Sequence, residues 1–357
     1  MNAPEPRIPA FVLGATGLVG QRFVRRLADH PWFELAGLAG SERVAGRLYG
    51  DAVDWTLAEP LPERTARMKL HALDDLPAMT LAFSALGSEV ARGIEERAAR
   101  AGALVVTNAS AMRMDADVPL VVPEVNPDHL ALLETQATRP GGVVANPNCS
   151  SIGLVLALAP LARAIGVRRV HVVTLQALSG AGQTGLAALA AHDNVLPHIP
   201  GEEEKLAAEP RKILGRLEAG GLREASIVVS AQTNRVPVSE GHTLCVSVEL
   251  EREARAEELI ELWREFAGEP QERRLPSAPA RPLAYLSAPA APQPRLHRDQ
   301  GHGMVCTLGR LAPCPVLGWR FVALVHNTER GAAGGALLTA ELAVAQGRLA
   351  GWEHGRR

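Results

Sequence analysis

The sequence has few aromatic residues and few cysteines, and neither sign of charge predominates. Only 4% of its 357 residues are Phe, Trp or Tyr. Its four cysteines have no C-x-x-C spacing and form no dense disulfide framework, so a reduced, cytoplasmic setting is expected. A formal net charge of −2 provides no basic surface for nucleic acid or an anionic membrane. A small-molecule partner is therefore expected, and neither nucleic acid nor membrane.

Long apolar runs are also lacking. None approaches the roughly 20 residues that a membrane helix needs. The N-terminal stretch MNAPEPRIPAFVLG has no basic region followed by an apolar core, so it is not expected to be a signal peptide. An apolar content of 47% and a charged content of 21% are typical of a soluble globular protein, and the length allows two domains.

What the sequence does contain is an apolar stretch interrupted by a turn. Val143–Ala164 reads VVANPNCSSIGLVLALAPLARA. Pro147 cannot donate a ladder hydrogen bond and asparagine favours turns, so a strand is predicted to end there, with a helix of about four turns after it. The side-chain oxygens of Ser150 and Ser151 are expected to meet N–H groups in the first turn of that helix.

Cys149 is thereby predicted to lie at a helix N-terminus, where the dipole and free N–H groups favour a thiolate. A thiolate there is a nucleophile, and the same N–H groups could hold an oxyanion. The alternative is a small buried thiol in a strand-to-helix turn. One proline and two asparagines make poor core filling, so we favour the nucleophile. It should have a depressed pKa and be alkylated well before Cys245, Cys306 and Cys314.

A glycine-rich turn near the N-terminus indicates a dinucleotide site. The segment Gly14–Gly20 (GATGLVG) follows an apolar strand, Ala10–Leu13, and precedes a helical pattern, Gln21–Asp29. Such a turn lets the backbone approach a pyrophosphate at the helix N-terminus. Many glycine turns bind nothing, but the position at the first strand–helix junction favours a dinucleotide.

The end of the second strand, Phe33–Ala39, indicates which dinucleotide. A carboxylate directly after this strand would bind a ribose 2′-hydroxyl, whereas Ser41 and Arg43 suit a 2′-phosphate. The alternative for Arg43 is a solvated surface arginine. We therefore predict NADP rather than NAD.

Further strand and helix patterns follow in alternation. Strands are predicted at Leu81–Leu86 and Leu104–Thr107, with a helix at Glu89–Ala101 between them. This order predicts a parallel, doubly wound sheet with its ligand at the carboxyl ends of the strands. Arg113 lies just beyond such an end, where a guanidinium could bind an anion, although a plain surface arginine is the alternative.

The second half of the chain predicts another α/β domain, on a mixed or antiparallel sheet. Its strand patterns are Val167–Gln176, Ile227–Thr233 and Thr243–Glu249. Gly201–Lys212 is expected to be a solvated helix face, and Pro276–Pro294 an extended surface connection. A final strand, Phe321–Val325, leads to a glycine-rich turn and a helix, Ala336–Leu349, expected to pack on the first domain. His192 and His198 lack the partners of a metal site, so none is predicted.

Several segments in the same order resemble the aspartate-β-semialdehyde dehydrogenase family, and its archaeal and fungal branch in particular. They are GATGLVGQ, VPLVVPEVN, NPNCSSIG, SGAG, EPRKILG, TNRVPVSEGHT, PQPRL and HNTERGAAGGA. The resemblance implies an N-terminal Rossmann-like domain and an α+β catalytic domain with a mixed sheet, the plan of glyceraldehyde-3-phosphate dehydrogenase. The NADP-binding domain would comprise residues 1–148 and 330–357, and the catalytic and dimerisation domain 149–329.

The resemblance also implies roles for individual residues. The catalytic residues would be the nucleophile Cys149, the general acid/base His242 and the substrate-orienting Gln176. The substrate would be bound by Arg235 at its carboxylate, by Glu202 at its amino group, by Arg113 and Lys205 at its phosphate, and by Asn148. The cofactor would be bound by Gly14, Thr16, Gly17, Leu18, Val19, Ser41, Arg43, Ser84, Gly87, Ser179, Gly180, Gly182 and Asn327.

The implied activity is NADPH-dependent reduction of aspartyl phosphate to aspartate semialdehyde through a Cys149 thioester, in a homodimer or homotetramer. A histidine suits the proton transfer because its usual pKa lies near neutral pH. The alternatives are a malonyl-CoA or N-acetylglutamyl-phosphate reductase on the same scaffold, or a non-catalytic NADP-binding regulator. Gln183-Thr184 after SGAG departs from the family pattern and puts the shape of that loop in doubt.

Overall fold

The computed structural model describes residues 7–182, 191–219 and 221–349. Gln183 and Thr184 lie outside the described residues. In chain order, the strands of the first half are β1 Ile8–Leu13, β2 Phe33–Gly40, β3 Leu70–Ala72, β4 Leu81–Ser84, β5 Leu104–Thr107 and β6 Gly142–Ala145. Those of the second half are β7 Val167–Gln176, β8 Arg216–Glu218, β9 Gly221–Arg223, β10 Val228–Arg235, β11 His242–Leu250, β12 Leu283–Leu286, β13 Cys306–Cys314 and β14 Gly318–Val325.

The longer helices are α1 Leu18–Ala28, α2 Ser88–Arg100, α3 Cys149–Ala164, α4 Glu202–Ile213, α5 Ala256–Glu265 and α6 Gly334–Ala345. Short α-helical turns occur at Tyr49–Ala52, Glu63–Ala66, Glu269–Glu272 and Pro294–His297. Pro127–Glu134 and Leu178–Ala181 are 3₁₀-helical, and Glu329–Ala333 is a single π-helical turn. Across the described ranges, every helix is too short or too polar to span a lipid bilayer.

The first sheet has the order β3-β2-β1-β4-β5-β6, and all its neighbours are parallel. The chain moves outward from β1 to β3 and then returns to the other side of β1 with β4. That reversal creates a crevice at the carboxyl ends of β1 and β4, which is where doubly wound sheets bind their ligands. The glycine-rich turn follows β1 and therefore lies at this crevice.

The second sheet has the order β10-β7-β11-β14-β13-β12 and is mixed. The pairs β7–β10 and β12–β13 are parallel, whereas β7–β11, β11–β14 and β13–β14 are antiparallel. Together the two sheets confirm the predicted fold class, a doubly wound domain followed by an α+β domain.

Helix α3 connects the two halves. It is apolar on all sides, and every residue from Ser150 to Leu161 is buried. Its side chains form one hydrophobic cluster with residues of both sheets, among them Val105 and Val143 from the first and Val172 and Leu244 from the second. A helix that is apolar all round is stable only when covered on every side. Its first residue, Cys149, is therefore held at the junction of the two sheets.

Two expectations about the second half need correction. Pro276–Pro294 is more than a surface connection, because it contains the edge strand β12, whose Tyr285 ring stacks on the Trp263 ring of α5. The last helix begins at Gly334 and ends at Ala345, after a π-helical turn, rather than covering Ala336–Leu349. Its side chains belong to the hydrophobic cluster beneath β1, β2 and β4.

Candidate active site

The nucleophile turn is built on Asn148, the N-cap of α3. The Oδ1 atom of Asn148 accepts hydrogen bonds from the N–H groups of Ser150 at 2.9 Å and Ser151 at 3.2 Å. The prediction that the serine hydroxyls cap this helix is wrong, since both hydroxyl oxygens are buried without a hydrogen-bond partner. Because Asn148 already occupies these two N–H groups, they are not free to hold an oxyanion.

The electrostatics of Cys149 also differ from the sequence expectation. Desolvation by the surrounding protein, together with the charge of Glu202, raises the pKa of the Cys149 thiol to about 12. Arg113, the Ser150 N–H and Arg235 act in the opposite direction but are outweighed. The predicted depressed pKa is therefore wrong for the protein without substrate. The helix N-terminus contributes too little to offset burial beside a carboxylate.

This correction reverses the expected order of thiol alkylation. At pH 7.5 we expect iodoacetamide to label Cys314 before Cys149, because main-chain hydrogen bonds near Leu317 and Val316 lower the pKa of the Cys314 thiol. Labelling of Cys149 should accelerate only as the pH rises well above 9. Peptide mapping by mass spectrometry at several pH values measures this order. Preferential labelling of Cys149 at neutral pH would contradict the raised pKa.

The Glu202 carboxylate contacts three side chains on the substrate side of the site. Its Oε2 accepts hydrogen bonds from Asn148 Nδ2 at 2.8 Å and Gln176 Nε2 at 3.2 Å, and its Oε1 pairs with Lys205 Nζ at 2.8 Å. Burial alone would raise the pKa of Glu202, but the charge of Lys205 and these three hydrogen bonds together lower it. Glu202 is therefore an ionised, buried carboxylate. The expectation of a solvated acidic face is wrong at this residue.

Arg235 and His242 both bind the main chain of Ala177. Arg235 ends β10 directly opposite Gln176 in the parallel register of β7, and His242 begins β11. The Ala177 carbonyl accepts a hydrogen bond from Arg235 Nη1 at 2.7 Å, and the Ala177 N–H donates to His242 Nδ1 at 3.0 Å. A Cβ added at Gly180 would lie 2.6 Å from Arg235 Nη1 and 3.2 Å from His242 Nε2. A side chain at position 180 would therefore crowd the ends of both Arg235 and His242.

The hydrogen bond to Nδ1 fixes the protonation of His242. Burial, and then the charge of Arg235, lower the pKa of His242 to about 3, so the imidazole is neutral at neutral pH. Because Nδ1 accepts the Ala177 N–H, the ring proton belongs on Nε2, which is buried without a partner. His242 thus presents an N–H donor. The expectation of a pKa near neutrality is wrong for the protein without substrate.

Arg113 is buried rather than lying on the surface. Its Nη1 pairs with Glu209 Oε1 at 2.9 Å, its Nη2 donates to the Asn108 carbonyl at 2.7 Å, and its Nε is buried without a partner. Lys205 is partly exposed and pairs only with Glu202 in the described part of the chain. Three N–H donors of Arg113 remain for an anion, since a guanidinium has five.

The glycine-rich turn fits a dinucleotide. Gly14 has φ +76°, and a Cβ there would lie 2.7 Å from the Ala85 carbonyl oxygen. Gly17 is the N-cap of α1 without any side-chain hydrogen bond, and the first turn of α1 carries no acidic residue. Thr16, Leu18 and Val19 are half-buried around this end. Its first N–H groups are therefore free of competing side chains for a pyrophosphate.

Ser41 and Arg43 follow the carboxyl end of β2, and both are exposed. The Ser41 carbonyl accepts the Val44 N–H at 2.9 Å, which turns the chain back there. This geometry leaves the Arg43 guanidinium available to a 2′-phosphate.

Replacing Arg43 with Ala should weaken NADPH binding while leaving NADH binding nearly unchanged, since only NADPH carries a phosphate there. Loss of one charge-assisted contact should cost about 1.5–3 kcal/mol. Steady-state KM values for both cofactors measure the effect. Arg47→Ala is the matched control, because Arg47 is an exposed arginine of the same segment whose Nη2 bonds a nearby carbonyl. Equal weakening of both cofactors by Arg43→Ala would assign the arginine a different role.

The other predicted cofactor residues fall into two groups. The Ser84 side chain is fully buried beside the Glu95 carboxylate, so only the main chain of Ser84 could meet a ligand. The predicted contact between the Ser84 side chain and the cofactor is therefore not supported. Gly87 caps α2 with open space around it. Ser179, Gly180 and Gly182 form the turn after β7. Asn327 links this turn to the His242 strand, donating to Ser179 Oγ and accepting the Gly241 N–H, both at 2.8 Å.

Several residues that pack around Cys149 and Arg113 were not predicted from the sequence. A Cβ added at Gly331, in the π-helical turn, would lie 2.5 Å from Cys149 Cβ. Arg330 in the same turn forms a buried two-pronged ion pair with Glu124. Glu209 contacts both Arg113 and the Asn148 main chain. The pattern E-x-x-K, which begins at Glu202, begins again at Glu209. This repeat is a signal in the sequence from which a role for Glu209 could have been predicted.

Comparison with known proteins gives consistent matches over both halves of the chain. A family model for the semialdehyde dehydrogenase NAD-binding domain matches residues 10–133, and one for the semialdehyde dehydrogenase dimerisation domain matches residues 158–330. Aspartate-semialdehyde dehydrogenase of Archaeoglobus fulgidus is 46% identical, over 95% of this chain and 98% of the relative. The enzyme of that name from Cryptococcus neoformans is 41% identical, over 97% of this chain and 100% of the relative.

Among solved structures, aspartate semialdehyde dehydrogenase with NADP from Candida albicans superimposes with a TM-score of 0.89. The two sequences are 38% identical, and the match covers 96% of this chain and 99% of the other.

Proposed function

The chain belongs to the aspartate-semialdehyde dehydrogenase family, and from that membership we propose the catalytic and binding roles of its residues. It is an NADP-dependent oxidoreductase that reduces L-aspartyl-4-phosphate to L-aspartate-4-semialdehyde, releasing phosphate, in the synthesis of aspartate-family amino acids. The resemblance inferred from the sequence is confirmed. The alternatives, a different acyl reductase or a non-catalytic regulator, are not favoured.

Substrate recognition follows from the charges around Cys149. In the proposed arrangement Arg235 binds the α-carboxylate, Glu202 binds the α-ammonium group, and Arg113 and Lys205 bind the phosphate. Support comes from the ionised state of Glu202 and from the N–H groups that Arg113 keeps free. The substrate ammonium would also neutralise the carboxylate that raises the pKa of Cys149. Binding would therefore remove the second of the two causes that raise the pKa of Cys149, and the thiol proton would be lost more readily.

Acyl transfer is the first step assigned to Cys149. Its sulfur bonds to the acyl carbon, the bond from that carbon to the phosphate oxygen breaks, and phosphate leaves with the electron pair and takes up the thiol proton. The product on the protein is a thioester. Gln176 and Asn148, both hydrogen-bonded to Glu202, would hold the carboxylate that binds the substrate amino group, and so keep the acyl carbon within reach of the sulfur.

The cofactor site is formed by the turn after β1 and the segment after β2. When bound there, NADPH supplies a hydride to the thioester carbonyl carbon. The free N–H groups of α1 would hold its pyrophosphate, and Ser41 with Arg43 its 2′-phosphate. Asn327 and the Ser179–Gly182 turn lie beside His242, where they would hold the reacting end of the cofactor.

In place of the general acid/base role implied by the resemblance, we assign to His242 the stabilisation of negative charge on the substrate oxygen. Its neutral ring carries a proton on Nε2, and a buried, unpartnered N–H is a preorganised donor for an oxyanion. Once the carbonyl carbon has been reduced, collapse of the oxyanion re-forms the carbonyl and breaks the bond between carbon and sulfur. The electron pair of that bond returns to sulfur. The sulfur then takes up a proton readily, because the pKa of Cys149 is high in the absence of substrate.

The same proposal includes the division of the chain into two domains and the oligomeric state of the protein. Residues 1–148 and 330–357 would form the NADP-binding domain, and residues 149–329 the catalytic and dimerisation domain. Packing of α6 against the first sheet supports this division. A homodimer or homotetramer is supported by the match to a dimerisation domain, and a cytoplasmic location by four free cysteines.

The observation that carries the proposal is that Glu202 and Arg235 lie close enough to Cys149 to act on its charge, with His242 beside Arg235. This set is suited to an acyl substrate with an amino acid at its other end. The test is NADPH oxidation by the purified protein with aspartyl phosphate, malonyl-CoA and N-acetylglutamyl phosphate in turn. We expect turnover with aspartyl phosphate alone. Comparable turnover with either of the other donors would overturn the assignment of Glu202 and Arg235.

A further inference from the structure

Helix α4 carries two Glu-Lys pairs in the same spacing, Glu202 with Lys205 and Glu209 with Lys212. Positions seven residues apart fall on the same face of an α-helix, two turns along. The first pair belongs to the substrate site described above. The second pair is more deeply buried, with 1% of Glu209 and 3% of Lys212 exposed.

The two oxygens of Glu209 bind two different functional segments. Oε1 accepts a hydrogen bond from Arg113 Nη1 at 2.9 Å, and Oε2 accepts one from the Asn148 N–H at 2.7 Å. Asn148 is the residue that caps α3 and directly precedes Cys149. One carboxylate therefore joins the guanidinium assigned to the phosphate with the turn that carries the nucleophile.

Lys212 holds the main chain on the Arg113 side. Its ammonium donates to the carbonyls of Arg113 at 2.7 Å, Asp115 at 2.7 Å and Val118 at 2.8 Å, which uses all three of its protons. Burial lowers the pKa of Lys212 to about 8, so these bonds are maintained at neutral pH. The segment carrying Arg113 is thereby attached to α4 at a second point.

Stability alone is a weak reason for this arrangement. A buried ion pair is often no more stabilising than apolar side chains of the same volume, because both charges lose their hydration. What the ion pair between Glu209 and Arg113 does provide is a fixed position for the Arg113 guanidinium. Without that partner the arginine side chain would have several rotamers. The reaction needs that fixed position, since the phosphate must be held in place while the sulfur attacks the acyl carbon that carries it.

We propose that Glu209, assisted by Lys212, is a positioning residue that sets the distance between the phosphate-binding Arg113 and the nucleophile turn. The proposal rests on the function proposed above, in which Arg113 binds the phosphate. Glu209 itself touches neither substrate nor cofactor in this account. It acts through Arg113 and through the main chain of Asn148.

The test is Glu209→Gln, assayed in the oxidative direction with aspartate semialdehyde, NADP and phosphate. The amide keeps the shape but replaces one acceptor oxygen with an N–H₂ group, so one of the two contacts is lost. We expect the KM for phosphate to rise at least about tenfold and kcat to fall about 10–100-fold, with the KM for NADP unchanged. Glu204→Gln, an exposed glutamate of the same helix, is the control and should match the wild type.

A double-mutant cycle separates positioning from general support of the fold. If Glu209 acts on phosphate through Arg113, Glu209→Gln should change the phosphate KM little once Arg113 is already Met. Wild-type phosphate KM and kcat in a folded Glu209→Gln variant, or additive effects in the cycle, would overturn the proposal. Should Glu209→Gln fail to fold, Glu209→Asp keeps the charge with a shorter reach and must raise the phosphate KM. An unchanged KM there also overturns the proposal, whereas an inactive wild-type protein would instead refute the proposed function.

Discussion

Replacing Cys149 with Ser should lower kcat by at least about 10⁴-fold, the size of effect seen when a covalent nucleophile is removed from other enzymes. A serine hydroxyl fits the same space at the start of α3 but is a far weaker nucleophile at neutral pH. The thioester then cannot form, although the substrate and cofactor pockets remain. NADPH affinity measured by fluorescence should be unchanged.

Cys245→Ser is the matched control for this loss. Cys245 lies on β11 close in sequence to His242, but its side chain is exposed and contacts neither Cys149 nor Glu202 among the contacts described. We expect Cys245→Ser to retain full activity. Residual turnover in Cys149→Ser within about tenfold of the wild type would mean that hydride reaches the acyl phosphate without a covalent intermediate.

Replacing His242 with Ala should reduce kcat by roughly 10²–10³-fold with little change in the KM for either substrate. The Nε2–H stabilises an oxygen that is charged only during the reaction, so substrate binding does not depend on it. The wild-type kcat/KM, which reports the free protein, should have no inflection near pH 6.5 attributable to His242. Its pKa is lowered to about 3, so the neutral ring persists at every pH above that value.

His171→Ala is the control, because His171 is exposed on β7 and lies outside the site. The variants are compared by kcat and KM across pH 5–9. A variant His242→Ala that mainly raises KM would reassign the imidazole to substrate binding. An inflection near pH 6.5 that disappears in His242→Ala would contradict the neutral state described here.

The order of elements, the glycine-rich turn and the turn that carries Cys149 could be predicted from local patterns, because both turns follow an apolar strand. β5 and β7 begin and end at the predicted residues. The roles of Gln176 and His242 came instead from the family resemblance. β12 could not be predicted in the same way. Its few residues lie in a proline-rich stretch, and they are a strand only because β13 and Trp263 lie beside them.

The charge states were also beyond local reasoning. The prediction for Cys149 counted the helix N-terminus, which is visible in the sequence. It counted neither the burial of the thiol nor the charge of Glu202, which lies more than 50 residues away in the chain. The prediction for His242 used the ordinary pKa of histidine, whereas burial and Arg235 determine the actual state. Such effects depend on residues that only the folded chain brings together.

The central claim is that Cys149 carries the acyl group during turnover. The most direct measurement is to mix the protein with aspartyl phosphate in the absence of NADPH, quench with acid and map the peptides by mass spectrometry. The account predicts an aspartyl adduct on the peptide containing Cys149, which disappears when NADPH is added before the quench. Absence of that adduct in a preparation that turns over normally, or its appearance on another residue, would contradict the account.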